Sequence, residues 1–358
     1  MNNEPQLIRE DALFERISAL IDLAHKKVKT VIDTTMVYTY YGVGYYIVEN
    51  EQQGEQRAQY GQAVLKNLSA RLTNKYGEGW SLPHLKNIRQ FYLVYSKRLN
   101  TVYPIQNQKA KQRLANPFTL SWSHYLILMR IKNEEERHFY EIECQKQDWS
   151  VRQLKREYGT SLYERLALSR DNKEALRLSQ EGHTIEKPRD IIKDPITLEF
   201  LGLQRDSSFS ESSLESAIIS KLQNFLLEMG KGFLFEARQK KFTFNEKHFY
   251  VDLVLYNRLL QCYVLVDLKA DELSHQDLGQ MQMYVNYYDR HVKEAFEKPT
   301  IGILLCKDKD DALVELTLPE DANVYATSYE LCIPDKAFLQ SKVKQWILEF
   351  ENNTPDTI

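Results

Sequence analysis

"YVDLVLYNRLLQCYVLVDLKADELSHQDLGQMQMY", residues 250–284, sets two apolar runs back to back with a short polar break between them. Both runs read as buried strands, yet each carries an aspartate: Asp252 in the first, and Asp267, followed by Lys269, in the second. A bare charge in a buried strand is costly unless something pairs with it. Alternate strand residues point to opposite faces, so Asp267 shares a face with Lys269, and Asp252 with Tyr250 and Val254. Residues 257–261, NRLLQ, are short enough to fold the runs into a hairpin centred near Leu259, which sets Asp252 close to Asp267. Converging carboxylates repel unless a proton or a cation sits between them. A hard divalent cation with oxygen ligands resolves the conflict. Lys269 would then stand beside a phosphate oxygen or the attacking water. Taken alone, Asp-x-Lys is a common pattern that a strand-end ion pair between Asp267 and Lys269 explains without any chemistry.

The surroundings extend the pattern. Upstream, SSLESAIISKLQNFLLEMGKG reads as a helix, with Ser212 as N-cap and Glu215 either closing a capping box or facing inward toward the carboxylates. Strand-like runs lie at 233–244, 249–256, 262–269, 300–306 and 323–329, with helices at about 275–291 and 335–350. Helix, three strands, helix, strand, then a further strand and helix make an α/β domain on a mixed sheet. In the helix after the second aspartate, Gln280 and Tyr284 are four residues apart and share a face. They could hydrogen-bond a phosphate or hold the lysine, or simply face solvent.

The N-terminal part reads as helical throughout. Residues 11–48 carry apolar residues at helical spacing, and the Gly42-Val43-Gly44 stretch lacks the third glycine of a dinucleotide loop, which favours a close helix contact. The helix in RAQYGQAVLKNLSARLTNKYG should stop at Gly77. Three Trp-Ser pairs precede helical patterns, with Ser81, Ser123 and Ser150 as caps. Residues 170–195 lack an apolar period and hold two prolines, so the expected organisation is an all-α domain over 1–169, a linker over 170–209 and the α/β domain over 210–350.

Charge separates the two parts. Net charge is −3 overall, but residues 1–170 hold 25 Lys+Arg against 18 Asp+Glu, and the remainder 22 against 32. Between Gly79 and Asn133 there is no Asp or Glu, while Lys86, Arg89, Lys97, Arg98, Lys109, Lys111, Arg113, Arg130 and Lys132 all fall there. Such a span suits sequence-blind phosphate contact, with Tyr92, Tyr95, Tyr103, Phe118 and Trp122 interleaved; a solvated basic loop at 96–116 is the plainer alternative. The four cysteines show no zinc spacing and read as buried reduced thiols, which fits a cytoplasmic setting. No apolar run reaches the length of a membrane span.

The ordered set Glu215, Asp252, Asp267-Leu268-Lys269 and Gln280-x-x-x-Tyr284 resembles the PD-(D/E)xK nuclease superfamily, its RecB-like branch in particular. More closely, NIRQFYLVY, LSWSHYLILM, SLYERL, KDPITLEFLGL, the 249–270 stretch, GQMQMYVNYYD and PTIGILLCKDKD resemble the YhcG-type nuclease family. The resemblance implies a restriction-endonuclease-like α/β domain behind an all-α N-terminal domain. It implies Mg²⁺ or Mn²⁺ held by Asp252 and Asp267, with Glu215 as an outer ligand and the Leu268 carbonyl as a third. It makes Lys269 the residue that positions the attacking water, with Gln280 and Tyr284 steadying the lysine or the phosphate. Val251 stands where the superfamily has proline, and Asp267 where the family has Glu. The reaction implied is hydrolysis of nucleic-acid phosphodiesters, DNA before RNA, with a homodimer as one open assembly. The alternative is a non-cleaving DNA-binding or assembly module on a nuclease-derived fold, accessory to a restriction or mobile-element system.

Overall fold

The computed structural model describes residues 18, 31–50, 58–99, 117–170, 172–203, 210–319, 321–333, 335–341 and 343. The chain divides into two compact units, one of residues 1–137 and 143–154, the other of residues 138–142 and 155–358.

The first unit is helical. Helix α1 covers 31–50, α2 Ala58–Tyr76, α3 Leu82–Leu99 and α4 Trp122–Leu128, and α5 begins at Glu134 and runs to Gln147. Gly77, with φ 93°, ends α2 through its N–H to the Thr73 carbonyl at 2.9 Å, the stop expected from sequence. A Cβ at Gly44 would come within 2.6 Å of Tyr92 and 2.7 Å of the Ile88 carbonyl, so the glycine serves helix–helix contact, as its spacing suggested. Of the three proposed serine caps, Ser150 accepts a bond from Gln153 N at 3.2 Å at the start of α6 (Val151–Gly159). Ser123 does not cap: α4 starts one residue earlier, and Ser121 takes the cap position, its hydroxyl bonded to His124 Nδ1 at 2.8 Å.

The second unit is a six-stranded mixed sheet in the order β1-β6-β5-β4-β3-β2, comprising β1 Ile196–Thr197, β2 Phe233–Phe244, β3 Lys247–Asn257, β4 Cys262–Leu268, β5 Ile301–Cys306 and β6 Val324–Glu330. β2, β3 and β4 pair antiparallel, and β4, β5, β6 and β1 parallel. The central parallel strand β5 is buried on both faces, which explains its near-continuous apolar sequence. On one face lie α9 (Glu211–Ser220) and α10 (Leu222–Met229), packing Leu214, Ile218, Phe225 and Met229 against Leu253, Leu255, Val264 and Val266. On the other lies α11 (His275–His291), with Leu278, Met281, Tyr284, Val285 and Tyr288 against Val254, Leu265 and Leu304. A shorter helix, α12 (Asp311–Thr317), adds Leu313 and Val314 to that side.

Two expectations need correction. The single helix read from Ser212 to Gly232 is two helices broken at Lys221, where φ is −122°. The 170–209 linker is, in its described part, folded structure. Residues 172–181 form α8 (Asn172–Glu181), and Ile196–Thr197 pair parallel with Tyr329–Glu330 as the sheet's edge strand β1. α7 (Leu162–Leu168), placed by sequence in the first domain, likewise belongs to the second unit. The segment escaped recognition because a two-residue strand has no period to read, and its buried residues are polar as often as apolar: Lys193, Asp190 and His183 are all buried.

Candidate active site

Register places the two aspartates. Leu253 pairs with Val266 across β3 and β4, so Asp252 and Asp267 stand next in line at the end of that ladder. The strict alternation read from sequence then fails at one point. Val251 and Val254 both enter the core under α11, although three residues apart, so the strand changes face between them, at Asp252. Across the ladder, Arg238 pairs with Leu253 and Lys240 with Val251, leaving Gln239 opposite Asp252 with φ 46°. A left-handed glutamine inside a strand is strained, and such strain persists only where surrounding contacts hold it. Its effect is to turn Asp252 and Gln239 toward α9.

The contacts there are specific. Gln239 Nε2 donates to Asp252 Oδ1 at 2.9 Å and to Glu215 Oε2 at 2.8 Å. Asp252 Oδ2 accepts the Leu268 N–H at 2.8 Å. Lys269 Nζ lies 2.9 Å from Asp267 Oδ2, 3.4 Å from Asp277 Oδ1 and 3.9 Å from Glu211 Oε2. Asp277 is held in turn by Ser274, whose N–H donates to Oδ2 at 2.9 Å and hydroxyl at 2.6 Å in a capping box that opens α11. Gln280 donates its side-chain amide to the buried Tyr284 hydroxyl one turn later.

The electrostatics follow from burial and crowding. Burial first, and the Asp252 charge second, push Asp267 up to about 7, while Lys269 pulls the other way. Burial works against the Lys269 cation, but Asp267, Glu211 and Asp277 outweigh it and raise Lys269 above the usual lysine range. Burial opposes the Asp277 charge, yet the Ser274 bonds and Lys269 hold that carboxyl low. Burial also raises Tyr284, so it stays a neutral hydroxyl.

Glu215 is buried, and Ser210, not Ser212, caps α9, accepting from Ser213 N at 3.2 Å. Glu215 is thereby released from the capping box that the sequence allowed. Arg238 Nε lies 3.3 Å from Glu215 Oε1 but out of hydrogen-bond alignment, so that buried oxygen makes no hydrogen bond among the described residues.

The donor set is one a hard cation accepts: strand-borne carboxylates, of which Asp267 is crowded by the Asp252 charge, beside a buried Glu215 oxygen of α9 that makes no hydrogen bond among the described residues. The expected trio of Asp252, Asp267 and Glu215 is not drawn into one cage, however. Among the described residues no three His, Cys, Asp or Glu side chains close around a common point. The Gln239 amide occupies the place between Glu215 and Asp252, and the Lys269 ammonium lies against Asp267.

Glu215, Asp252, Asp267 and Lys269 thus meet at one place, and Tyr284, bonded to Gln280, lies near enough to feel the charges of Asp267, Lys269 and Asp252; its burial removes the exposed-helix-surface alternative for it. Sequence reasoning missed Gln239, Glu211 and Asp277. The Ser274-x-x-Asp277 capping signature was there to be read, whereas nothing in the pattern around Gln239 marks it.

The basic span fares differently. Lys86 and Lys97 are exposed on α3, and Arg89 is half-buried. Lys109, Lys111, Arg113 and the Arg98 side chain lie outside the described residues. Of the aromatic residues read as stacking partners, three are core and Trp122 is half-buried. Tyr92, Tyr95 and Phe118 are buried, and Phe118 packs with Phe91, Tyr41 and Tyr125 at centroid distances of 5.0–5.5 Å. Tyr103 lies outside the described residues. Of the cysteines, Cys144, Cys262 and Cys306 are buried as expected, but Cys332 is exposed.

A helix-flanked mixed sheet with paired strand-end aspartates and an adjoining lysine defines a PD-(D/E)xK nuclease-type domain. Residues 189–344 match the model of the YhcG PDDEXK nuclease domain, and residues 16–165 that of the DUF1016 N-terminal domain. Over 349 residues, 92% of each chain, the sequence is 36% identical to "Putative nuclease YhcG" of Escherichia coli (strain K12). The chain belongs to the YhcG family. Among solved structures, a repair endonuclease from Pyrococcus abyssi is similar at 19% identity and TM-score 0.24, covering 36% of this chain and 50% of that one. The complex of EndoMS with double-stranded DNA is similar at 17% and 0.26, covering 36% and 48%. Among the described residues no helix is long and apolar enough to cross a membrane.

Proposed function

We propose that this protein is a metal-dependent nuclease that hydrolyses phosphodiester bonds, with DNA as its substrate. The observation that carries the reading is the meeting of Asp252, Asp267 and Lys269 at one strand end, beside a buried Glu215 oxygen that lacks a hydrogen bond. Asp252 and Asp267 would hold Mg²⁺ or Mn²⁺, with Glu215 as the outer ligand. Such a cation, when bound, supplies Lewis-acid polarisation of the phosphoryl oxygens.

The remaining work belongs to the chain. Lys269, raised above the usual lysine range, stays protonated at neutral pH, so it acts as a fixed positive charge and not as a base. It orients the attacking water through its N–H bonds and offsets charge that develops on the phosphoryl oxygens. Asp277 and Glu211 hold that ammonium at the strand end. Gln280, half-buried and bonded to the buried neutral Tyr284 hydroxyl, would steady the lysine or the phosphate.

Purified protein should cleave linear, single-stranded or branched DNA only with Mg²⁺ or Mn²⁺, and Asp252→Ala and Lys269→Ala should abolish the cleavage. Parallel RNA substrates decide the nucleic acid. A second reading, a non-cleaving DNA-binding module, draws on the self-compensation of the site, since Gln239 and Lys269 already engage its acids. Tight binding with every metal and no product would establish that reading instead.

A further inference from the structure

Beyond the site, β2 and β3 continue as a two-stranded ribbon. The pairing runs from Lys240↔Val251 to Phe244↔Lys247 and closes on Asn245 and Glu246, whose φ angles are 48° and 61°. One face is anchored. Phe242 and Phe249 are cross-strand partners, and Phe242 stacks on Tyr287 of α11 at 4.1 Å and meets Tyr284 edge-on at 5.4 Å. The pairs Lys241↔Tyr250 and Thr243↔His248 alternate with these residues and so occupy the opposite face.

All four side chains of that face are exposed, Tyr250 at 46%. Thr243 and His248 are joined by a 2.9 Å hydrogen bond between Oγ1 and Nδ1. Over residues 237–251 the chain carries Arg238, Lys240, Lys241 and Lys247 against the single acid Glu246 at the turn. Lys241 has Tyr250, not a carboxylate, as its cross-strand neighbour. Tyr250 stands two residues before Asp252, about 7 Å along the strand. A cationic ribbon with an exposed ring therefore leads directly into the carboxylates.

We propose that this outer face, Lys241, Thr243, His248 and Tyr250, is the surface on which a nucleic-acid strand lies as it enters the site. This inference rests on the nuclease reading for its direction, not for its chemistry. Charge complementarity selects the occupant: the Lys241 ammonium meets a phosphate, Lys240 and Lys247 add positive field from the opposite face, and the exposed Tyr250 ring stacks on a base. Phosphate contact by Lys241 makes binding salt-dependent, while Tyr250 contributes through stacking and leaves the salt response unchanged.

The test uses the full chain in EDTA, which separates binding from cleavage, with a short labelled single strand and the matching duplex as probes. Lys241→Ala should lower the slope of log K against log salt by about 0.7–0.9. Tyr250→Ala should weaken binding about tenfold at unchanged slope. Lys298→Ala, an exposed lysine away from the ribbon, removes the same charge and should change neither. The two probes tell whether the face prefers an unstacked strand. With metal, the Lys241→Ala/Tyr250→Ala double variant should raise KM and leave kcat at saturation within about twofold. Binding by the double variant equal to that of Lys298→Ala overturns the proposal, as does a parent protein that binds neither probe. If no metal supports cleavage while the ribbon variants still lose binding, the nuclease reading falls and the ribbon assignment stands.

Discussion

Asp252 was legible as a candidate site residue because a charge inside an apolar strand asks for a partner. Its partner was not, because Gln239 looks like any polar residue of an edge strand. Its left-handed backbone, and the amide that spans Glu215 and Asp252, arise only in the folded chain. The amide therefore links the two acids at the place proposed for a cation. Gln239→Gly should relieve the backbone strain and remove the amide together, so apparent metal affinity, measured by titration calorimetry, should rise. A fall would mean that the glutamine is needed to aim Asp252. Lys269→Arg preserves charge but not the compact ammonium that fits among Asp267, Asp277 and Glu211, so it should cut kcat by at least about 10²-fold with KM little changed.

At the scale of elements, long periodic segments were readable to within a residue or two. β2 and α11 fall where apolar alternation and helical spacing put them, 233–244 and 275–291. Helix starts were less secure, since neighbouring serines compete for one cap and sequence does not choose between Ser210 and Ser212, or Ser121 and Ser123. Ser210→Ala should cost about 1 kcal/mol, and Ser212→Ala a few tenths at most, by urea unfolding. The ribbon turn carries a further consequence. Both central residues have positive φ, the geometry of a type I′ hairpin, which prefers Asn-Gly. Glu246→Gly should thus stabilise by about 0.5–1 kcal/mol, read as a melting temperature a few degrees higher.

For the whole molecule, the decisive miss was the boundary. Arg165, Lys193 and Thr197, assigned by sequence to the helical domain and the linker, surround the fully buried Glu228 of α10. Arg165 pairs with one carboxylate oxygen, Arg156 reaches the other at 3.2 Å, and Lys193 donates to the Glu228 carbonyl. A buried ionic cluster contradicts the rule that polar segments lie outside cores, so composition hid it. Truncation at residue 210 should leave Glu228 buried without partners and give insoluble protein, whereas a start at residue 138, which keeps the Tyr140 contacts to Glu157 and Tyr163, should keep the sheet soluble. Burial alone would raise Glu228, but Arg165 and Lys193 outweigh it and hold it at about 2. Its folded pKa is depressed, so its stabilising effect is complete above the unfolded value near 4.5 and is lost as pH falls through 2. Melting curves of the parent and Glu228→Gln should differ widely at neutral pH and converge over that acid window.

The sheet ends in two unequal borders: two residues of β1 on one side, twelve of β2 on the other. A long open border invites a second copy to add its own strand, and lysines there act as gatekeepers against such growth. Lys240 and Lys241 make self-association through this border repulsive, most strongly in dilute buffer. Any paired form of this protein should therefore meet through another surface, and acetylating those two lysines should turn a well-behaved sample into one that aggregates.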